Sequence, residues 1–150
     1  MNSRQIDLVQ STFRLVEPIA EDASRLFYAR LFELDPGLRP LFPHDLTGQG
    51  RKLMTALGLV VRGLRAPHVI LPVARGLGRR HSGYGVRDEH YEVVGGALLW
   101  TLEQGLGEAF TAEVREAWSA AYALLSGEMR AAAATAPASG PSLPVMRGVR

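Results

Sequence analysis

The sequence predicts an all-α fold of about six substantial helices. Two observations predict it. Apolar residues recur at three- and four-residue spacing along most of the chain, and no useful length alternates with period two. Proline, glycine and capping residues then cut those stripes into helix-sized pieces with short connections. With 150 residues, 47% of them hydrophobic and 21% charged, the chain can bury one core in one soluble domain.

Ile6, Val9, Phe13 and Val16 form the first stripe, which starts near a cap at Asn2 or Ser3. Pro18 suits the first turn of a second helix carrying Ile19, Ala23, Leu26, Phe27 and Leu31, and Asp35-Pro36-Gly37 stops it. A short turn through Leu38 to Phe42 leads into a loop over 43–48. The third helix is headed by Gln49, continues through Leu53, Leu57, Val60, Val61 and Leu64, and frays near Ala66-Pro67. Pro72 is expected to open the fourth, whose stripe Val73, Leu77, His81 is closed by Gly83-Tyr84-Gly85. Asp88 is expected to cap the fifth, with Tyr91, Val94, Leu98 and Leu102 inward and Gly105 and Gly107 at its end. Thr111 caps the sixth, which turns Val114, Trp118, Ala121 and Leu125 inward. The alanines from Ala131 extend it by a turn. The expected organisation is a domain over 1–134 and a disordered tail over 135–150, where Ala, Pro, Ser and Gly prevail.

Composition removes several functions. The net charge is +2, acidic residues are interleaved with the arginines, and no basic stripe stands alone, so no nucleic-acid partner is expected. The chain has no cysteine, which excludes disulfides, Cys-ligated zinc, iron–sulfur clusters, a thiol nucleophile and thioether-linked haem. Met1 to Gln5 lack the basic-then-apolar order of a secretory signal, and the apolar run Leu53 to Val61 is too short to span a bilayer. A cytoplasmic protein with no membrane partner is expected.

Two polar residues interrupt the apolar pattern. Gln49 and His81 each lie on the apolar stripe of their own helix. A polar group facing a core needs a partner there, or its burial costs a few kcal/mol. One amide and one imidazole on successive helices point to a shared guest, a flat metal complex with His81 on the metal and Gln49 over the other face. The plainer alternatives are a core histidine satisfied by a backbone carbonyl and an exposed first-turn glutamine. His44, His68 and His90, in loops or at a helix start, read as surface residues.

Several ordered motifs bear on this choice: Leu26-Phe27-Tyr28 with Leu31-Phe32, Arg39-Pro40-Leu41-Phe42, Gln49-Gly50-Arg51-Lys52-Leu53-Met54, Leu77-Gly78-Arg79-Arg80-His81, Tyr84-Gly85-Val86, His90-Tyr91-Glu92-Val93-Val94-Gly95 and Ala117-Trp118. In that order the chain resembles single-domain bacterial haemoglobins and the globin half of flavohaemoglobins. The resemblance covers nearly everything except the tail and implies a globin fold holding non-covalent haem b. It implies that His81 is the proximal iron ligand, Phe42 the aromatic against the porphyrin, and Tyr28, Gln49 and Leu53 the distal pocket. Leu77 and Tyr91 would support His81, its ring N–H meeting the Leu77 carbonyl. Tyr84 and Val86 would add to the pocket wall, and Lys52, Arg51 and Arg80 are candidates for the haem propionates. Two departures stand out: Ala133 occupies the place where flavohaemoglobins often carry a Glu, and no flavin or nicotinamide domain is expected to follow.

The resemblance implies reversible binding of O₂, with CO and NO as related ligands. Bound O₂ becomes partly superoxide-like, so Tyr28 O–H and Gln49 N–H₂ would favour it over CO. The alternative on the same scaffold is a nitric oxide dioxygenase served by a separate reductase. A third reading is a cofactor-free, globin-like sensor or interaction module.

Overall fold

The computed structural model describes residues 1–135; the expected tail lies almost wholly outside the described residues. Six α-helices follow one another: α1 (Ser3–Val16), α2 (Ala20–Leu34), α3 (Thr47–Arg62), α4 (Pro67–Gly83), α5 (His90–Leu106) and α6 (Ala112–Ala134). Among the described residues there is no strand. The all-α expectation holds, and so does the alanine extension of α6. Asn2 caps α1 by accepting from Gln5 N–H while the Gln5 side chain returns to Asn2 N–H, and Thr111 caps α6 through Val114 N–H.

The boundaries of four helices differ from the sequence reading. Pro18 lies in a separate 3₁₀ turn, Glu17–Ile19, and α2 starts only at Ala20. The helix of His81 opens at Pro67, not Pro72. Both prolines satisfy the start signal, but the Ala66 carbonyl accepts from Val69 and Ile70, closing a turn before Pro72 is reached. Asp88 does not cap α5. Glu89 holds that position, and the Asp88 carboxylate instead takes both arms of Arg130, at 2.7 and 2.6 Å. The third helix also begins two residues before Gln49 and ends at Arg62.

Helix packs on helix, most extensively α4 with α6, α2 with α5 and α1 with α6. The main core joins Val9, Phe13 and Val16 of α1 to Val60 and Val61 of α3 and Trp118 of α6. A buried relay ties it together: the Trp118 indole N–H donates to Thr12 Oγ1 at 2.8 Å, and that hydroxyl donates to the Leu8 carbonyl. Two smaller clusters follow. One gathers Phe27, Tyr28, Leu31 and Leu38 with Phe42 and Leu53; the other gathers Ala74, Tyr91 and Met129 with Leu77 and Val86. Among the described residues no helix is long and apolar enough to cross a membrane.

Candidate functional site

A cavity of about 450 Å³ draws its walls from both smaller clusters. That volume falls in the range of roughly 300–1,000 Å³ usual for cofactor and ligand sites. Eleven of the twelve site residues singled out in the sequence line it: Tyr28, Phe42, Gln49, Lys52, Leu53, Leu77, Arg80, His81, Tyr84, Val86 and Tyr91. Lys52 and Arg80 are solvent-exposed as well, which places them at its rim; Arg51 is exposed and is not among the wall residues.

His81 comes to the wall near the end of α4. Its Nδ1 is 2.7 Å from the Leu77 carbonyl oxygen, one helical turn earlier. A carbonyl only accepts, so Nδ1 carries the proton, and in the neutral ring the lone pair belongs to Nε2. The chain then turns sharply, with Val86 N–H donating to the His81 carbonyl at 3.0 Å, and Tyr84 meets the imidazole edge-on at 5.8 Å between centroids.

Two close approaches hold this region. At Gly78 an added Cβ would lie 2.1 Å from the Met129 carbonyl oxygen and 2.6 Å from its Cα, so α4 and α6 cross backbone to backbone. At Gly95 an added Cβ would lie 2.7 Å from the Tyr122 ring, whose hydroxyl donates to the Tyr91 carbonyl. Burial pushes the Tyr122 phenol well above the ordinary tyrosine range, which keeps it a neutral donor. Arg130, paired with Asp88, lies 5.8 Å from the centre of the Tyr91 ring.

The other part of the wall is aromatic. Tyr28 meets Phe27 and Phe42 edge-on, at 5.1 and 5.4 Å between centroids, and stacks with Phe32 at 6.0 Å. Phe42 caps a 3₁₀ turn, Pro36–Leu41, its N–H donating to the Arg39 carbonyl at 3.1 Å. Arg39 fixes the chain just past it: its guanidinium donates to the Pro43 and His44 carbonyls, at 2.9 and 2.8 Å, and lies over Phe32. Gln49, in the first turn of α3, is 7% exposed, and its buried Oε1 has no hydrogen-bond partner. Leaving a buried acceptor unmatched costs about 1–3 kcal/mol, unless an occupant supplies the partner.

Sequence reasoning missed three contributors. His90 is not a surface residue: it is half-buried, lines the cavity, and accepts from Arg87 N–H at 2.9 Å. Tyr122 lies one helical turn from Trp118, a spacing that carried the signal. Arg39 stood in a quoted motif with no role, because sequence does not show which carbonyls a guanidinium reaches.

Residues 25–129 match the sequence profile of the globin family. The chain belongs to that family. It is 38% identical over 136 residues to a flavohemoprotein of Bordetella parapertussis, an alignment covering 86% of this chain and 34% of the relative. Flavohemoproteins of Vibrio cholerae (30% over 129 residues; 84% and 33%) and Chromobacterium violaceum (34% over 122 residues; 79% and 30%) are further relatives. This globin thus spans about a third of the length of the curated relatives it matches. Its cavity suits a flat metal chelate on chemical grounds. Among the described residues no three His, Cys, Asp or Glu side chains are grouped to hold a bare metal ion.

Proposed function

We propose that this globin holds haem b without a covalent link, through His81, and reversibly binds a diatomic ligand, O₂ first among them. One observation carries the reading. The buried, unpartnered amide oxygen of Gln49 lines the same cavity as an imidazole whose Nδ1 is committed to Leu77. A haem there would supply an iron able to take the His81 imidazole together with a small ligand. The Leu77 carbonyl sets the tautomer and azimuth of His81, the work of the second partner of a metal-bound histidine. Phe42, Leu53 and Val86 would exclude water, and Lys52 and Arg80 at the rim would hold the carboxylates of the porphyrin.

Tyr28 and Gln49 form the distal donors. A half-turn about the last bond of Gln49 exchanges its oxygen for the NH₂ group at the cavity wall, so the amide can donate as readily as accept. O₂ accepts such hydrogen bonds when bound and CO scarcely does. A donor worth about 1.5–3 kcal/mol changes O₂ affinity on the order of ten- to a hundredfold.

A second reading is favoured by the relatives: they are flavohemoproteins about three times the matched length. It is oxidation of NO to nitrate by O₂, both oxygen atoms passing to the product, with a flavin-bearing reductase as separate partner supplying the one electron that each turnover requires. Absorption spectroscopy of the purified protein tests the first reading, which expects a Soret band that responds to O₂ and CO. Its absence would leave the cofactor-free reading. Sustained NO consumption that keeps pace with added reductase distinguishes the second.

A further inference from the structure

One side chain holds the chain between Phe42 and α3. Arg39, half-buried, donates through Nη1 to the Phe42 and Pro43 carbonyls, at 3.4 and 2.9 Å, and through Nη2 to the His44 carbonyl at 2.8 Å. A planar fork can reach carbonyls of three successive residues at once, which a single ammonium group cannot. The same guanidinium lies 5.2 Å from the centre of the Phe32 ring, and Phe32 meets both Tyr28 and Phe42. Arg39 therefore backs the aromatic wall of the cavity and grips the loop that leads from that wall to Gln49.

That grip matters because α3 begins weakly. Leu46, at its N-cap position, gives no side-chain cap, and Gly48 in the first turn touches nothing. Gly50 N–H donates to the Leu46 carbonyl at 2.8 Å, and the Asp45 carboxylate accepts from Thr47 N–H at 3.0 Å. Gly50 is seated closely on α2, where an added Cβ would lie 2.5 Å from Ser24 Oγ, but a glycine has no side chain to keep it there. The far end of α3 is anchored independently, with Val60 and Val61 in the main core. An uncapped first turn frays readily. Gln49 belongs to that turn, so its place at the cavity wall depends on where the loop delivers the helix.

We propose that Arg39 is a positioning residue for the distal pocket: by clamping the carbonyls of residues 42–44 it keeps the first turn of α3 seated and Gln49 at the wall, and so slows the escape of a bound diatomic ligand. The effect on the ligand rests on the reading above; the clamp does not. Arg39→Lys keeps the charge and removes the fork. In the intact chain it should speed amide hydrogen exchange at Gly50 about tenfold while leaving Val60 and Val61 unchanged. Arg39→Gln serves if the lysine variant does not fold. Unaltered exchange at Gly50, or acceleration that extends equally to Val61, would overturn the clamp. In the oxygenated protein Arg39→Lys should raise O₂ dissociation about fivefold or more and change CO dissociation little. Placed on Gln49→Leu, it should add almost nothing, since both act through one amide. Full additivity would overturn the route through Gln49. A missing Soret band would count against the haem reading alone, because exchange at Gly50 decides the clamp with or without a cofactor.

Discussion

The two regions that build the cavity are held by different means. Around His81 the constraints run through the main chain: Nδ1 to the Leu77 carbonyl, Val86 N–H to the His81 carbonyl, Tyr122 to the Tyr91 carbonyl, and Gly78 against the Met129 backbone. Around Tyr28 and Gln49 they run through ring contacts and the Arg39 guanidinium, and one amide oxygen is left unmatched. Main-chain groups of packed helices move little, so they suit an imidazole that must hold one position. Rings and a long amide leave freedom to turn toward a ligand that comes and goes. On the proposed reading, the first region is a fixed anchor and the second an unfinished receptor.

Removing the anchor should have the largest effect. His81→Ala is expected to lose most of its haem or to keep it with an altered axial ligand, read from the visible spectrum. Unchanged spectra would take His81 out of the proximal role and dissolve the contrast. A subtler cut at the same region is Gly78→Ala. Its Cβ meets backbone rather than the end of a flexible side chain, so α4 must shift from α6, an overpacking cost of about 1–3 kcal/mol. Urea unfolding measures it, and an unaltered midpoint would show that the crossing tolerates a methyl group.

The receptor should respond in ligand kinetics and not in stability. Tyr28→Phe is expected to raise O₂ dissociation about tenfold or more while CO dissociation changes little, the outcome of losing one donor worth about 1.5–3 kcal/mol. Gln49→Leu should act in the same direction and more weakly, since its amide has more freedom to leave. The double variant should fall short of the sum, because both donors serve one ligand. Stopped-flow release is the measurement. Indifference of O₂ release to Tyr28→Phe would make the aromatic region a packing cluster only.

The contrast also explains what could be read in advance. Periodicity gave the six helices, and the polar breaks at Gln49 and His81 marked both regions, because a buried polar group is visible against an apolar stripe. The Leu77 contact was within reach for the same reason, being one turn away on the same helix. What escaped was the choice between equal local signals, and the long-range contacts. Pro67 and Pro72 carry the same start signal, and only the closed turn at Ala66 chooses between them. The partner of Asp88 stands 42 residues away on α6, so a cap was the local reading of a long-range ion pair. The approach of Met129 to Gly78 leaves no mark in sequence beyond a glycine within a helix.

The smallest expected effect concerns that ion pair, which fastens the segment after α4 to α6 on the His81 side. Arg130 donates to both carboxylate oxygens of Asp88 and holds its pKa below the ordinary value of 3.8. A carboxylate with a lowered folded-state pKa contributes stability that is present above its unfolded value and is lost as pH falls through the folded one. The contribution is small, because the Asp88 and Arg130 side chains are 72% and 37% exposed and water screens the pair. Asp88→Asn should therefore lower the urea midpoint slightly at neutral pH, and the gap from the unmodified protein should close as the pH drops below about 3.8. Comparing the two proteins isolates the pair, since Asp45 and Glu113, whose carboxyls are also lowered by hydrogen-bonding partners, titrate in both. A gap that persists in acid would mean that Asp88 acts through shape and not charge. A shift of the visible spectrum in Asp88→Asn at neutral pH would show instead that Arg130 over Tyr91 reaches the anchor, extending the fixed region from main chain to surface charge.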